Sequence, residues 1–274
     1  MTVPDPVTWL FVPATRPERL AKAFAAGAHA VIADLEDAVD PQDKSGARTR
    51  IEAVLAGGTR RPNLWLRINA VGTPWFEADL ALVHRHRSVL AGVMLAKTEC
   101  AADLRALDGE LPVLALIESA RGLLALGEIC QSPQLARLAF GSVDFCRDLG
   151  CEDDWDLLLQ ARMQIVIHSA AARLPAPIDG VSLALDVADP VVRDAARASR
   201  LGFGGKLCIH PSQLAPVMQG FAPTAEQVQW ATRVVALSRL GGSGAQRVDG
   251  QMVDKPVIDR ARALLERQGR VSAG

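Results

Sequence analysis

No apolar stretch of this 274-residue chain runs uninterrupted for the roughly 18 residues that a membrane span requires, so none is expected. The opening "MTVPDPVTWL" has neither a basic lead nor a long apolar core, so no secretion signal is expected either. Tyrosine is absent altogether. Lys and Arg are spread along a chain of net charge −1, with no basic block and no interleaving of basic and aromatic residues to mark a nucleic-acid surface. The five cysteines (Cys100, Cys130, Cys146, Cys151, Cys208) contain no CxxC pair, and an odd, scattered set in mostly apolar contexts points to reduced thiols in a cytoplasm. No Gly-rich fingerprint follows the first apolar run, as a dinucleotide-binding fold would require. "GFGGK" (202–206) lacks the spacing of a P-loop and precedes a strand, not a helix.

Hydrophobic residues make up 49% of the chain and charged residues 22%, enough for a large core and too apolar for disorder. Short apolar runs alternate with amphipathic stretches: "WLFVP" (9–13), "AVIADLED" (30–37), "NLWLRIN" (63–69), "GVMLAK" (92–97), "PVLALIE" (112–118), "LARLAFG" (135–141), "IDGVSL" (178–183) and "GKLCIHP" (205–211). Eight β-runs, each followed by a helical pattern, predict a closed parallel (β/α)₈ TIM barrel with a C-terminal helical extension. Residues 1–240 are expected to form the barrel, closed by a helix from 224 as its eighth. Residues 241–274 would then form a Gly/Ser hinge and a helical tail or lid. That last helix has no strand to serve, so it packs either on its own barrel or on another subunit.

The last residues of the runs are Pro13, then Asp34, Glu36 and Asp37, Arg67 and Asn69, Lys97 and Glu118, with Asp144 just beyond the sixth and His210 ending the eighth. Polar groups therefore collect at C-terminal strand ends, the rim on which barrel active sites lie. Glu118 and Asp144 come from consecutive strands and should converge on one pocket. Two acids without a His/Cys cluster suit a hard cation, Mg²⁺ above all, completed by water and substrate oxygens. The alternative for Glu118 is a rim salt bridge with Arg121, Arg67 or Lys97. Arg67, inside an otherwise apolar strand, needs a partner. A substrate carboxylate or enolate oxygen suits its fork, as does an ion pair with Asp34, Glu36 or Asp37, and the two can coexist. Arg16 and Lys22 flank a helix start that either holds phosphates or presents solvated charge. His29, His84, His86 and His168 lie away from the rim, and "IHPSQ" reads as a capping turn at His210.

Across "WLFVPATRPERLAKAFAAGAHAVIADLEDAV", "LWLRINAVGTPWFEADL", "ALIESARGL", "LAFGSVDFCRDLG", "IDGVSLALDVADP", "LGFGGKLCIHPSQL" and "GQMVDKP", the chain resembles the citrate lyase β-subunit-like family, which includes malyl-CoA and citramalyl-CoA lyases. It departs from that family at "VPAT" and "MLAKTE", where Gly and Pro are common. The resemblance implies Mg²⁺ (or Mn²⁺) on Glu118 and Asp144, and substrate binding by Arg67 and the Glu118 site. It implies a coenzyme A thioester contacting Phe11, Arg16 and Lys22. Asp254 in "MVDKP" matches a carboxylate that enters a neighbouring subunit's site in a homo-oligomer, a trimer. The implied reaction is Claisen-type cleavage of a β-hydroxyacyl-CoA to acetyl-CoA and a 2-oxo acid such as pyruvate or glyoxylate. Arg67 would stabilise the enolate and Asp254 would act as base or proton relay. The alternatives are a citrate lyase β-subunit acting on a citryl thioester of an acyl carrier protein, and a barrel kept as a non-catalytic scaffold.

Overall fold

All eight expected runs are strands, and each hydrogen-bonds to its sequence neighbours around a ring. A computed structural model describes residues 5–57, 63–109, 111–185, 187–239, 246–248 and 251–272. The strands are β1 (Thr8–Pro13), β2 (Ala30–Asp34), β3 (Leu64–Ile68), β4 (Gly92–Leu95), β5 (Val113–Ile117), β6 (Leu135–Phe140), β7 (Ile178–Asp179) and β8 (Gly205–Cys208). They close into a parallel barrel in sequence order, with β8 on β1. The seventh run (178–183) forms only a two-residue strand, and its remainder, Gly180–Leu183, is irregular.

Both faces of the strands are covered, which is why they read as continuous apolar runs rather than as alternating ones. The alternation survives in space. Trp9, Ala30, Ile32, Trp65, Met94, Leu114, Leu116, Ala139, Ile178 and Leu207 fill the barrel interior, where Trp9 and Trp65 meet edge-on with ring centroids 5.5 Å apart. Because side chains repeat their direction every second residue, Asp34 follows Ile32, Arg67 follows Trp65 and Glu118 follows Leu116 on the same inward face. The polar layer therefore sits directly on the apolar plug, at the C-terminal rim.

The outward face of β7 and β8 carries a second buried charge group. Asp179 accepts from Arg162 Nε at 2.8 Å and from Lys206 Nζ at 3.0 Å, and Lys206 also donates to the Gly180 carbonyl at 2.6 Å. Arg162 stacks over Trp155, 4.1 Å from its ring centroid.

By internal contacts residues 6–220 form one compact unit, and the described residues from 221 onward belong to another. The helix after β8 is Leu214–Phe221. The helix Ala225–Arg239 belongs to the second unit, where it packs on the helix Lys255–Ser272. An amphipathic pattern shows that a face must be buried but not against what. Ala231, Val234, Val253, Ala261 and Leu264 form that unit's own core. It also holds two antiparallel strands, β9 (Gln246–Val248) and β10 (Gln251–Val253). The rest of the expected hinge, 241–245 and 249–250, lies outside the described residues. Among the described residues no helix is long and apolar enough to cross a membrane.

Burial by itself raises the Asp179 pKa, but the charges and hydrogen bonds of Lys206 and Arg162 outweigh it and hold the carboxyl below its usual range. A lowered folded-state pKa contributes stability above the unfolded value of about 3.9, lost as pH falls through the folded value. Asp179→Asn leaves two buried cations short of their anion and is expected to cost about 3–5 kcal/mol at pH 7, with the deficit narrowing towards pH 3. Urea unfolding midpoints of both proteins across that range would show it.

Candidate active site

A cavity of about 360 Å³ opens at the C-terminal rim. Its wall is divided by strand. The ends of β2, β3, β5 and β6 contribute Asp34, Asp37, Arg67, Glu118 and Asp144, whereas β8, β1 and the chain after β7 contribute Phe11, Pro13, Val181, Leu183, Leu207 and Ile209. Four carboxylates thus share the lining with one guanidinium.

Arg67 is held as a fork. Its Nε and Nη2 donate to the two oxygens of Asp34 at 2.7 and 2.6 Å, and its Nη1 lies 3.1 Å from Glu36 Oε2. Asp34 and Arg67 are register partners on β2 and β3, so the backbone itself sets the pair. The Phe11 ring lies beneath the guanidinium, 4.5 Å from centroid to Cζ. The structural ion pair considered for Arg67 is therefore real, and it coexists with a place on the cavity wall. The three contacts use three of five N–H groups, leaving two for a ligand. Burial would raise Asp34, but the Arg67 charge and hydrogen bonds, with the Glu36 and Ala38 amides, keep it below the usual carboxylate range.

Glu118 is almost fully buried. Among the described residues, its one hydrogen bond comes from the Lys97 amide, at 2.7 Å to Oε1. Lys97 makes that contact from a left-handed backbone, φ 48°. Its ammonium turns the other way, pairing with Glu36 and lying 3.7 Å from Asp37. Burial pushes the Glu118 carboxyl up to about 8; Arg67 and Lys97 pull against this, while Glu36 and Asp144 add to it. Asp144 stands in the first turn of the helix Ser142–Leu149 and pairs with Arg147 at 2.6 Å. Glu118 and Asp144 therefore face one cavity as hard oxygen donors with too little positive charge around them. That donor set fits a divalent cation. No group of three or more His, Cys, Asp and Glu side chains among the described residues makes a complete cage. A cation here would take its other oxygens from water and ligand.

Other expected residues lie apart. Arg16 pairs with Glu18 at 2.6 Å on the surface, and Lys22 is exposed on the short helix Arg19–Ala25; neither lines the cavity. His210 accepts from the Ser212 amide at 3.2 Å and caps the turn that follows, as its motif suggests. Asp254 caps the helix Lys255–Ser272 by accepting from the Val257 amide at 3.2 Å, and is exposed.

Sequence reasoning missed the support behind the rim. Lys44, buried, donates to the Leu35 and Glu36 carbonyls and to Asn69 Oδ1 at 2.7, 2.7 and 2.8 Å. Asn69 in turn donates to Asp79 at 2.6 Å, and Asp79 accepts from Arg48 at 2.9 Å. This ladder pins the turn that carries Glu36. A lysine opening a helix gives no signal of such a role in one sequence.

The family model described as HpcH/HpaI aldolase/citrate lyase matches residues 8–211, and the chain belongs to that family. A citrate lyase subunit beta-like protein of Mycobacterium tuberculosis is 37% identical, over 97% of this chain and 96% of its own. A (3S)-malyl-CoA thioesterase of Cereibacter sphaeroides is 31% identical, over 96% and 95%. Among solved structures, protein CitE from Mycobacterium tuberculosis in complex with magnesium, acetoacetate and coenzyme A superposes with a TM-score of 0.85 at 35% identity, covering 96% of this chain and 98% of that one.

Gly141 borders the pair of acids for want of space: a Cβ there would lie 2.5 Å from Glu118 Oε2 and 2.6 Å from its Cβ. Gly141→Ala is expected to displace the Glu118 carboxylate and weaken Mn²⁺ binding, read by paramagnetic resonance, about tenfold or more, with circular dichroism unchanged.

Proposed function

We propose that this protein is a divalent-cation-dependent carbon–carbon lyase that cleaves a β-hydroxyacyl thioester of coenzyme A, of citramalyl or malyl type, to acetyl-CoA and a 2-oxo acid. The observation that carries the reading is the convergence of Glu118, Asp144 and Arg67 on one rim cavity. Glu118 and Asp144 would hold Mg²⁺ or Mn²⁺, which supplies Lewis acidity and a template for substrate oxygens when bound. Arg67, already oriented by Asp34, offers its two remaining N–H groups to the oxygen that becomes negative as the bond breaks. Asp254 takes the hydroxyl proton. The carbon–carbon electrons pass to the thioester carbonyl, and a proton delivered to the resulting enolate carbon completes acetyl-CoA. Phe11 on the cavity wall, with Arg16 and Lys22 beyond it, would receive the coenzyme A portion.

The thioesterase name among the relatives favours a second reading, in which water attacks the same thioester. Both products can be followed with the purified chain on citramalyl-CoA and malyl-CoA. The lyase releases pyruvate or glyoxylate, detected as a hydrazone, with the thioester intact. A thioesterase releases free thiol and no oxo acid. Mg²⁺ should be required, and full activity after EDTA treatment would overturn the metal assignment. Turnover confined to a citryl thioester on a carrier protein would point to the citrate lyase subunit instead, and no turnover of any thioester to a scaffold.

Asp254 is proposed to act in a neighbouring subunit of a cytoplasmic homotrimer. Asp254→Asn keeps a good helix cap while removing the base. Refolding it together with Glu118→Ala, each inactive alone, is expected to restore part of the activity in mixed oligomers verified by mass. Mixed oligomers as inactive as their parents would rule out action across subunits.

A further inference from the structure

Outside the cavity, the C-terminal end of the helix carrying Asp144 brings two cysteines together. The helix Ser142–Leu149 ends at Gly150 in the left-handed conformation, φ 69°, and the Gly150 and Cys151 amides both return to the Cys146 carbonyl, the latter at 3.0 Å. In this helix-ending turn, the residue after the left-handed one and the partner of its amide bond bring their side chains into contact. Here both are cysteines. A single hydrogen bond, from the Cys151 amide to the Cys146 carbonyl at 3.0 Å, spans the backbone between them and keeps the Cα atoms within the ~4–7 Å that a disulfide needs. Cys146 is buried and donates to the Glu152 carbonyl at 3.4 Å; Cys151 is half-buried. Neither lines the cavity, and the proposed lyase reaction uses neither.

We propose that Cys146 and Cys151 are a reversible dithiol–disulfide pair, a modification site that clasps the end of the Asp144 helix and is independent of the lyase reading. The oxidant is a small-molecule disulfide such as oxidised glutathione. The sulfur of Cys151, the more accessible, attacks one glutathione sulfur, and its proton goes to the departing glutathione thiol. The sulfur of Cys146 then attacks the mixed disulfide at Cys151 and releases the second glutathione, again as thiol. One S–S bond and two S–H bonds are consumed and the same number formed; the protein is oxidised by two electrons and the glutathione disulfide reduced by two.

The segment also provides a clean measurement. Trypsin cuts after Arg147, so the two cysteines fall on separate peptides, 138–147 and 148–162, each without another cysteine. The reduced full-length protein is equilibrated with glutathione buffers of graded ratio, blocked with N-ethylmaleimide and digested. The expected result is a cross-linked 138–147/148–162 species that rises with oxidised glutathione, disappears with dithiothreitol and is absent in Cys151→Ser. If at the most oxidising ratio both peptides carry only N-ethylmaleimide or glutathione adducts, the pair is not a disulfide site. A native circular dichroism spectrum at that ratio ensures that either result refers to folded protein.

Discussion

The two-point bond between Arg67 and Asp34 is the constraint on which the rest of the rim depends. A guanidinium cannot shed its charge at any ordinary pH, and burying it above the tryptophans of the barrel plug costs several kcal/mol unless an anion meets it. Asp34 does so because parallel pairing of β2 and β3 sets the two residues opposite one another. Glu36 takes another edge of the fork, Lys97 neutralises Glu36, and the amide of Lys97 holds Glu118. One continuous chain of alternating charge thus leads from β2 to β5. The left-handed backbone of Lys97 is where it turns, since there the amide and the ammonium face different acids.

That chain ends with charge left over. Arg67 is shared by two carboxylates before Glu118 is reached, and Asp144 brings another acid to the same cavity. An acid-rich pocket repels an anionic substrate unless a cation stands between them. The surplus suits a cation set beside an oriented guanidinium, with an apolar wall closing the remaining side of the cavity. The apolar third of the rim, from the chain after β7 through β8 to β1, offers no group to share that charge, which confines the polar chemistry to the opposite side.

The residues that orient the rim are less conspicuous than those that line it. Lys44 binds two carbonyls and Asn69 beneath the Glu36 turn, and Asp79 anchors Asn69. These bonds join groups 8 to 25 residues apart, from different elements of the fold, so nothing in local spacing announces them. The buried Asp179–Lys206–Arg162 group was equally silent. Its members read as ordinary polar residues in short segments until the β7–β8 pairing placed Asp179 and Lys206 side by side.

By itself, the order of residues determined the eight strands, because a parallel strand covered on both faces must be apolar along its whole length, and it determined the rim acids, because charge stops such a run at its exposed end. It also marked Arg67 as a residue in need of a partner. Only the tertiary structure decided that this partner is Asp34 and Glu36 together, that among the described residues Glu118 is left with a single amide, and that Ala225–Arg239 packs on the final helix. The reason is the same in each case. Periodicity and composition state that a surface or a charge must be covered, but the covering group is chosen by strand register and helix packing, which bring together residues that the sequence keeps apart.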